Sequence, residues 1–561
     1  MDHKLLADLL FPHITDTPAD IEARYPARSL PEGAKVTRFA PSPTGFVHFG
    51  GLFPSTVCER LAHQSGGVFY LRIEDTDSKR EVAGAAEALI RTLGTYGIRF
   101  DEGAILDENG KIVDRGDYGP YKQSMRGPLY QTYAKYLVSE GKAYPCFTTE
   151  EELDELQAVN KKEEIKNTDW QAEAEQRRKE MLARRNFTID EVKEHLAAGH
   201  PFVIRLLATG DPEKKMKFTD LVKGQIDVPE NDEDFVLLKS DGIPTYHFAH
   251  AVDDHLMHTT HVVRGEEWLP SLPKHIQLFS YLGFKLPKYM HISQIMRLDE
   301  NGNKKKLSKR DMGANMDDYT EMGYCPEAVC EYVMTLLNSN YEEWHMQNPD
   351  KPYTDFPFNI KKMSVSGCLF DFDKLNDVSK NVISRMSAET VVEKLLSWAD
   401  SFDPDFASEL RYDPAMTLAI FNIGRGGKKP RKDLTTWRDA KPYMGFFFDR
   451  YMQIEDAYPE RFPKADIRAV LSEFLATYDE KDDMNTWFEK VKVIAASHGY
   501  ATDMKAYKQD PDAYPGNVAD VSMFLRVAVT GKANSPDLYT VMQILGRART
   551  FARIEAMLNT L

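Results

Sequence analysis

Apolar positions in the first hundred residues alternate between two spacings. Ala34–Ala40 (AKVTRFA) is a short β-like run, and Leu52–His63 carries apolar side chains at helical intervals. Gly67–Ile73 (GVFYLRI) reads as a buried strand and Ala83–Leu93 as a second helix. Strand, helix, strand, helix predicts an open parallel sheet, whose ligands sit beyond the carboxyl ends of the strands. Between the first strand and its helix stand PSPTG and HFGG, a stiff, glycine-rich turn.

From Glu150 to Glu194 the pattern gives way to charge with scattered apolar residues, which predicts the exposed helices of an insertion. Strand character returns at Pro201–Leu207, Phe235–Lys239 and His261–Arg264, with Thr245–Val252 between them, and predicts that the sheet resumes. Beyond about Asp311 the periodicity is helical, at Ala388–Asp400, Ala465–Tyr478, Met484–Ser497 and Leu538–Leu558. Evenly spaced alternating strands and internal repeats are absent from the back half. Residues 1–35, with Pro12, Pro18, Pro26 and Pro31, read as an extension laid on the surface.

A length of 561 residues implies several packed units. At 42% hydrophobic and 28% charged residues there is little room for long disordered tracts. A net charge of −16 argues against a non-specific nucleic-acid coat or a membrane-surface protein, while leaving nucleic acid held in one basic groove compatible. The start, MDHKLLADLLF, has Asp8 inside its apolar run, and no apolar run reaches the ~18 residues of a membrane span, so a cytoplasmic protein is expected. Cys58, Cys146, Cys325, Cys330 and Cys368 form no disulfide framework, which fits a reducing compartment.

The candidate chemistry lies in two basic or glycine-rich segments. In RFAPSPTGFVHFGG, Gly45 and the prolines stiffen the turn, Gly50 and Gly51 admit a ligand to backbone amides, and the following helix N-terminus favours phosphate. Lys304–Arg310 (KKKLSKR) falls after the last strand. Together they predict a cationic clamp on a polyphosphate.

PSPTGFVHFGG and KLSKR resemble the HIGH and KMSKS signatures of class I aminoacyl-tRNA synthetases. Within that class RFAPSPTG, LRIEDTD, DGIPTYHFAHAVDDHLM and VVRGEEW resemble glutamyl-tRNA synthetase, in order over Val36 to Arg310. Weaker similarity continues through GCLFDFDKLN and SPDLYTVMQILGRART. The resemblance implies an α/β Rossmann-type class I synthetase catalytic domain with an inserted acceptor-binding domain, followed by an all-helical anticodon-binding region. Its expected divisions are an extension (1–35), the first catalytic half (36–120), the acceptor-end insertion (121–230), the second catalytic half with the KLSKR loop (231–315), a helical stem-contact region (316–385) and the helical anticodon-binding region (386–561).

The implied reaction joins L-glutamate to AMP from ATP, with Mg²⁺, and passes the glutamyl group to tRNA(Glu); tRNA(Gln) as a further substrate stays open. Glutaminyl-tRNA synthetase is the nearest rival, but that family more often reads PPEPNG where this chain has APSPTG and carries a β-barrel anticodon part. A catalytically inactive tRNA-binding homologue is the other alternative, which the intact signatures argue against. The truncated paralogue that modifies a queuosine base is excluded by length. A monomer is expected.

By the same resemblance His48, Lys306 and Lys309 are catalytic, with Pro41, Ser42, Gly45, Gly50, Gly51, Leu307, Ser308 and Arg310 completing the ATP site. Arg38 and Tyr246 face the side-chain carboxylate of glutamate, Arg264 its α-carboxylate, and Glu74 with Ser42 its ammonium. Arginine suits such a site because its fork pairs a carboxylate bidentately. His250 is expected in the wall of the same glutamate pocket, where the family often has Asn. Of His247, His250, His255, His258 and His261, a run that spans a helix and a strand, His247 and His255 match family positions that bind no metal, and Cys146 is a lone ligand-like residue in the insertion, so no structural zinc is expected. For tRNA, the densest basic cluster of the helical half is Arg425, Lys428, Lys429, Arg431 and Lys432. Trp437 beside it either packs in the core or stacks on a base.

Overall fold

The computed structural model describes residues 1–45, 47–77, 82–148, 185, 187–308 and 311–561. They fold as two compact units, one of residues 1–317 and 333–371, the other of residues 318–332 and 372–561.

The first unit is built on parallel strands β1 (Val36–Phe39), β2 (Val68–Leu71) and β3 (Glu102–Leu106), with β4 (Ile112–Arg115) antiparallel on the edge of β3. Gly103 permits the β2–β3 approach, since a Cβ there would lie 2.2 Å from the Leu71 carbonyl oxygen. On the other flank of β1, Thr260 N–H donates to the Val36 carbonyl at 3.0 Å and leads into β10 (His261–Gly265), which pairs in parallel with β11 (Lys288–Ile292). The crossover helices include α3 (Phe49–His63) and α4 (Ala85–Thr95).

The strands at 201–207 and 235–239 do not resume this sheet. β6 (Val203–Leu206) pairs antiparallel with β5 (Ala143–Cys146) on one side and β9 (Val236–Leu238) on the other in a sheet of their own, and β7 (Lys215–Asp220) with β8 (Gly224–Pro229) forms a hairpin. Ile204 and Leu206 of β6 are buried while Val203 and Arg205 are only half-buried; this one-faced burial suits an antiparallel strand. The predicted charged helices over 150–194 lie outside the described residues except for Arg185 and 187–194.

Residues 1–35 hold two helices, α1 (His3–Leu10) and α2 (Pro18–Arg24). Leu6, Leu10, Phe11, Ile14, Ile21 and Tyr25 are buried, and α1 packs on α5 (Gly127–Ser139). Pro18 opens α2 at the position where a missing N–H costs nothing, and Thr17 and Asp20 close a capping box. The prolines thus punctuate a helical arm. Three further helices matter for the site: α6 (Ile189–Ala197), α7 (Tyr246–Leu256) and α8 (Leu272–Leu282).

The second unit is helical. Its helices at Ala388–Phe402, Lys464–Thr477, Met484–Ser497 and Leu538–Thr560 fall within about two residues of the predicted spans, the last broken at Gly546, where φ is 75°. No helix among the described residues is long and apolar enough to cross a membrane.

Candidate functional site

His48 caps α3. Its Nδ1 accepts the Gly50 N–H at 2.8 Å, so the proton of the neutral ring sits on Nε2. Gly50 must stay small, because a Cβ would lie 2.8 Å from that same nitrogen. The flanking backbone is tied to the segment that follows KLSKR: Phe49 N–H donates to the Ala314 carbonyl at 2.8 Å and Met316 N–H to the Val47 carbonyl at 3.0 Å. The second signature is held from within. Buried Leu307 donates its N–H to the Ile295 carbonyl at 2.9 Å, and Asp311 accepts the Ser308 N–H at 2.7 Å while pairing with Arg297 at 2.7 Å. Arg297 and then the Ser308 N–H hold the Asp311 carboxyl well below its ordinary range. Strands β12 (Ile295–Leu298) and β13 (Lys304–Lys306) carry Lys306 into the same cleft.

That cleft, of about 480 Å³, is lined by His48, Gly50, Gly51, Lys306, Leu307 and Ser308 together with residues of β11 and the start of β12. It joins six of the residues expected around ATP. Pro41, Ser42 and Gly45 stand outside its lining; the Pro41 carbonyl accepts the Glu74 N–H at 3.0 Å, and Gly45 takes a φ of 129°. Lys309 and Arg310 lie outside the described residues.

The expected amino-acid residues converge on α7. Asp253 and Asp254 on this helix are fully buried, and with Glu74 they face Arg38, Arg72 and Arg126, three anions against three cations. Asp254 accepts from Arg38 Nε at 3.1–3.2 Å and from Arg72 Nη1 at 2.7 Å. Arg72 Nη2 reaches Glu74 at 3.0 Å; Asp253 accepts from Arg126, Tyr130 and Gln123 at 2.7–2.8 Å. Burial works against an ionised Asp254, but Arg38 and Arg72 overcome it and hold the carboxyl well below the usual range. For Glu74 burial wins over Arg72 and Arg38, and its carboxyl is raised.

Arg264 is held differently. Its Nε donates to His291 Nε2 at 2.9 Å and its Nη1 to His275 Nδ1 at 3.0 Å, with the Tyr289 ring 4.7 Å beneath. Both imidazoles accept from a guanidinium, so both are neutral, and burial depresses both pKa values. His291 donates its Nδ1–H to Asp220 at 2.8 Å and His275 its Nε2–H to His247 at 3.0 Å. Among the described residues no carboxylate pairs with Arg264, and its buried Nη2 has no hydrogen-bond partner. Half-buried Tyr246 packs on Trp268 at 4.3 Å, and its hydroxyl lies in the fields of Arg264, Glu74 and Arg38 together.

His250 is fully buried beneath Tyr246, its Nε2 2.8 Å from the Tyr289 hydroxyl and its Nδ1 2.7 Å from Asp254. It bridges the two arginine cradles. The five histidines of this stretch turn to separate partners: His247 to His275, His250 to Asp254, His255 to Glu22, His258 to the Tyr25 carbonyl and His261 to Thr260. No group of three metal-ligating side chains converges among the described residues.

Sequence reading missed Asp254, Arg72, His275, His291 and Trp268. Adjacent acids in the apolar stretch AVDDHLM and an arginine inside GVFYLRI were the available signals for the first two. His275 and His291 carried none.

In the helical unit the basic cluster divides. Arg425 donates to the Phe421, Ile383 and Met386 carbonyls, and Arg431 to Asp433 and the Tyr443 hydroxyl. Trp437, 3% exposed, belongs to the core with its backbone N–H on the Gly323 carbonyl. Of its two expected places it takes the core, so its face is not offered to a base, and Arg425 is turned onto internal carbonyls while Arg431 pairs with Asp433 at the surface. Lys428, Lys429 and Lys432 are exposed.

Residues 35–377 match the catalytic-domain family of class I tRNA synthetases (E and Q), and residues 515–558 match an anticodon-binding domain family. The strand, signature turn and cleft are therefore those of a class I tRNA synthetase. Glutamate–tRNA ligase of Acetivibrio thermocellus is 49% identical over 100% of both chains, and that of Clostridium perfringens 45% identical over 99% of this chain and all of its own. A crystal structure of a glutamate tRNA ligase from Elizabethkingia meningosepticum, in complex with its amino acid, superposes with a TM-score of 0.72 at 27% identity, over 94% of this chain and 99% of that one. The chain belongs to the glutamate–tRNA ligase family.

Two outcomes follow from the buried charges. Arg126→Leu, which strands Asp253 without its closest cation, should lower stability by about 3–5 kcal/mol, read by urea denaturation; a loss under 1 kcal/mol would contradict the pairing. Burial is the main cause that lowers His247, His250 and His261 to about 4. Their unfolded forms titrate near 6.5, so their contribution to stability is complete above that pH and is lost as pH falls through the folded values near 4. Denaturation midpoints should decline as pH falls from about 6.5 towards 4; a profile flat from about pH 6.5 to 4.5 would show these rings free to charge in the fold.

Proposed function

We propose that the chain activates L-glutamate with ATP and transfers it to the terminal ribose of tRNA(Glu). The observation that carries this reading is Arg264, a buried guanidinium oriented by neutral imidazoles, with Tyr246, Arg38 and Glu74 around it. Such a set is chemically complementary to an amino acid with two carboxylates and one ammonium. Arg38 and Tyr246 take the side-chain carboxylate, Arg264 the α-carboxylate, and Glu74 with Ser42 the ammonium, whose charge would relieve the raised carboxyl of Glu74. His250 acts behind this wall, through Asp254 and Tyr289.

The bound α-carboxylate attacks the α-phosphorus of ATP, the bond to pyrophosphate breaks, and the tRNA ribose hydroxyl then displaces AMP from the adenylate. No protein nucleophile is needed once the groups are aligned. His48 donates its Nε2 proton in a hydrogen bond to the α-phosphate as charge builds, and Lys306 with Lys309 neutralises the departing phosphates. Mg²⁺ enters with ATP. The exposed Lys428, Lys429 and Lys432 touch tRNA phosphates. The reading further takes the protein to be cytoplasmic and monomeric.

Charging assays with purified tRNA(Glu) and tRNA(Gln), each offered glutamate and glutamine, test the reaction and its tRNA range. Glutamate should be favoured by at least 10-fold, since a neutral amide facing an arginine loses a charge-assisted contact of about 1.5–3 kcal/mol. Equal use of glutamine would overturn the assignment of Arg38. Arg38→Leu should raise the glutamate KM at least 10-fold, the same contact being lost, and leave the ATP KM alone.

His48→Ala should slow single-turnover activation by roughly 10²- to 10³-fold, the usual effect of removing one transition-state donor. Gly50→Ala, which pushes the ring off its amide, should show a smaller loss of the same kind. Near-parental activation in His48→Ala would remove the ring from the chemistry.

A further inference from the structure

Residues 1–34 precede the segment that the synthetase family matches, and the chemistry above makes no use of them. They are nonetheless fastened to α7, the helix that carries Tyr246, His250, Asp253 and Asp254. Glu22 Oε1 accepts from His255 Nε2 at 2.6 Å and from the Tyr133 hydroxyl at 3.2 Å, while the His255 ring lies flat on Phe284, 3.6 Å between centroids. The Tyr25 carbonyl accepts from His258 Nε2 at 3.0 Å. Arg28 donates Nε to the Met257 carbonyl at 3.0 Å, grips Glu102 with its two terminal nitrogens at 2.7 and 2.9 Å, and stacks on Tyr118 at 3.9 Å.

All three attachments land on the last turn of α7 and the reversal after it. The Met257 carbonyl belongs to the helix end, where backbone acceptors lack intrahelical partners and a cation is favourable. His258 has a φ of 56°, the left-handed region, which costs a side chain other than glycine roughly 1–2 kcal/mol. The hydrogen bond to Tyr25 offsets part of that cost. The next residue, Thr259, donates its N–H to the Asp254 carbonyl at 2.8 Å and its hydroxyl to Asp254 Oδ1 at 3.3 Å. From the arm to the carboxylate that aims Arg38 is thus a path of two adjacent residues, His258 and Thr259. A second path runs through Arg126, which pairs with Asp253 and lies 5.4 Å from the Tyr25 ring.

We propose that the N-terminal arm is a brace for the amino-acid pocket, in which Glu22, Tyr25 and Arg28 are positioning residues that fix the end of α7 and through it the Asp254–Arg38 pair. The proposal rests on the assignment of Arg38 to the side-chain carboxylate of glutamate. Loosening the last turn of α7 leaves Asp254 its charge but not its direction, so the effect falls on glutamate. The ATP cleft, lined from α3, β11, β12 and β13 and met by β10 only at its far end, through Gly265 with Glu267 beyond it, is spared.

The test uses the full chain with Glu22→Gln, Arg28→Leu and Arg28→Lys, in charging assays that vary glutamate at saturating ATP and then the reverse. Arg28→Leu should raise the glutamate KM about 5–10-fold and Glu22→Gln about 3-fold, with the ATP KM within about 1.5-fold, as small misplacements of a binding group do. Arg28→Lys, which keeps a cation near the Met257 carbonyl, should recover most of the loss. If Arg28→Leu fails to fold, the isosteric Glu22→Gln decides alone. A lowered melting temperature with an unchanged glutamate KM, or an ATP KM that rises in step, would overturn the brace. Arg38→Leu, run alongside, separates the two readings. No effect there would reject the pocket assignment itself, whereas a strong effect there with unmoved arm variants rejects only the brace.

Discussion

The carboxylate of Asp254 is the constraint around which the first unit is arranged. An ion with no access to water is tolerated only if charge and hydrogen bonds replace its hydration. Neighbouring central strands each bring an arginine to it, Arg38 within β1 and Arg72 directly after the last residue of β2, while His250, Tyr70 and Thr259 approach its remaining edges. Strand register, the depth of α7 and the direction of Arg38 are therefore one problem with one solution. A shift of either strand by one residue would turn an arginine to the opposite face and leave the anion bare.

The two signature segments are joined by a comparable economy. Val47 and Phe49 exchange backbone hydrogen bonds with Ala314 and Met316, so the two lips of the cleft share a short antiparallel bridge although they are far apart in sequence. The glycine beside His48 serves the same end, because only there can the backbone amide sit against the imidazole and choose its tautomer.

Much of this was legible in the chain. Period-two and helical spacing located β1, β2, α3, α4 and the long C-terminal helices, because each buries one face and its pattern is local. Strand pairing is not local, which is why β6 and β9 read as a continuation of the parallel sheet although they form a separate antiparallel sheet with β5. The arm was read from its prolines, yet Pro18 begins a helix rather than ending one. Among site residues, those inside contiguous motifs stood out. His275 and His291 did not, since their meaning lies in an arginine brought to them by folding. Within the basic run at 425–432 composition counts cations without showing that Arg425 already has carbonyl acceptors.

Arg264 separates two properties that usually arrive together. A carboxylate partner orients a guanidinium and cancels its charge in the same act. Neutral imidazoles supply the orientation and leave the positive potential standing, projected into a buried region where dielectric screening is weak. The distal groups then act as insulation as much as support. Asp220 lies one ring further away, so its opposing field is attenuated while its proton preference still fixes the His291 tautomer. Exchanging one of these imidazoles for a carboxylate would preserve the guanidinium's direction and extinguish its field, so that geometry and potential at this site could be varied independently.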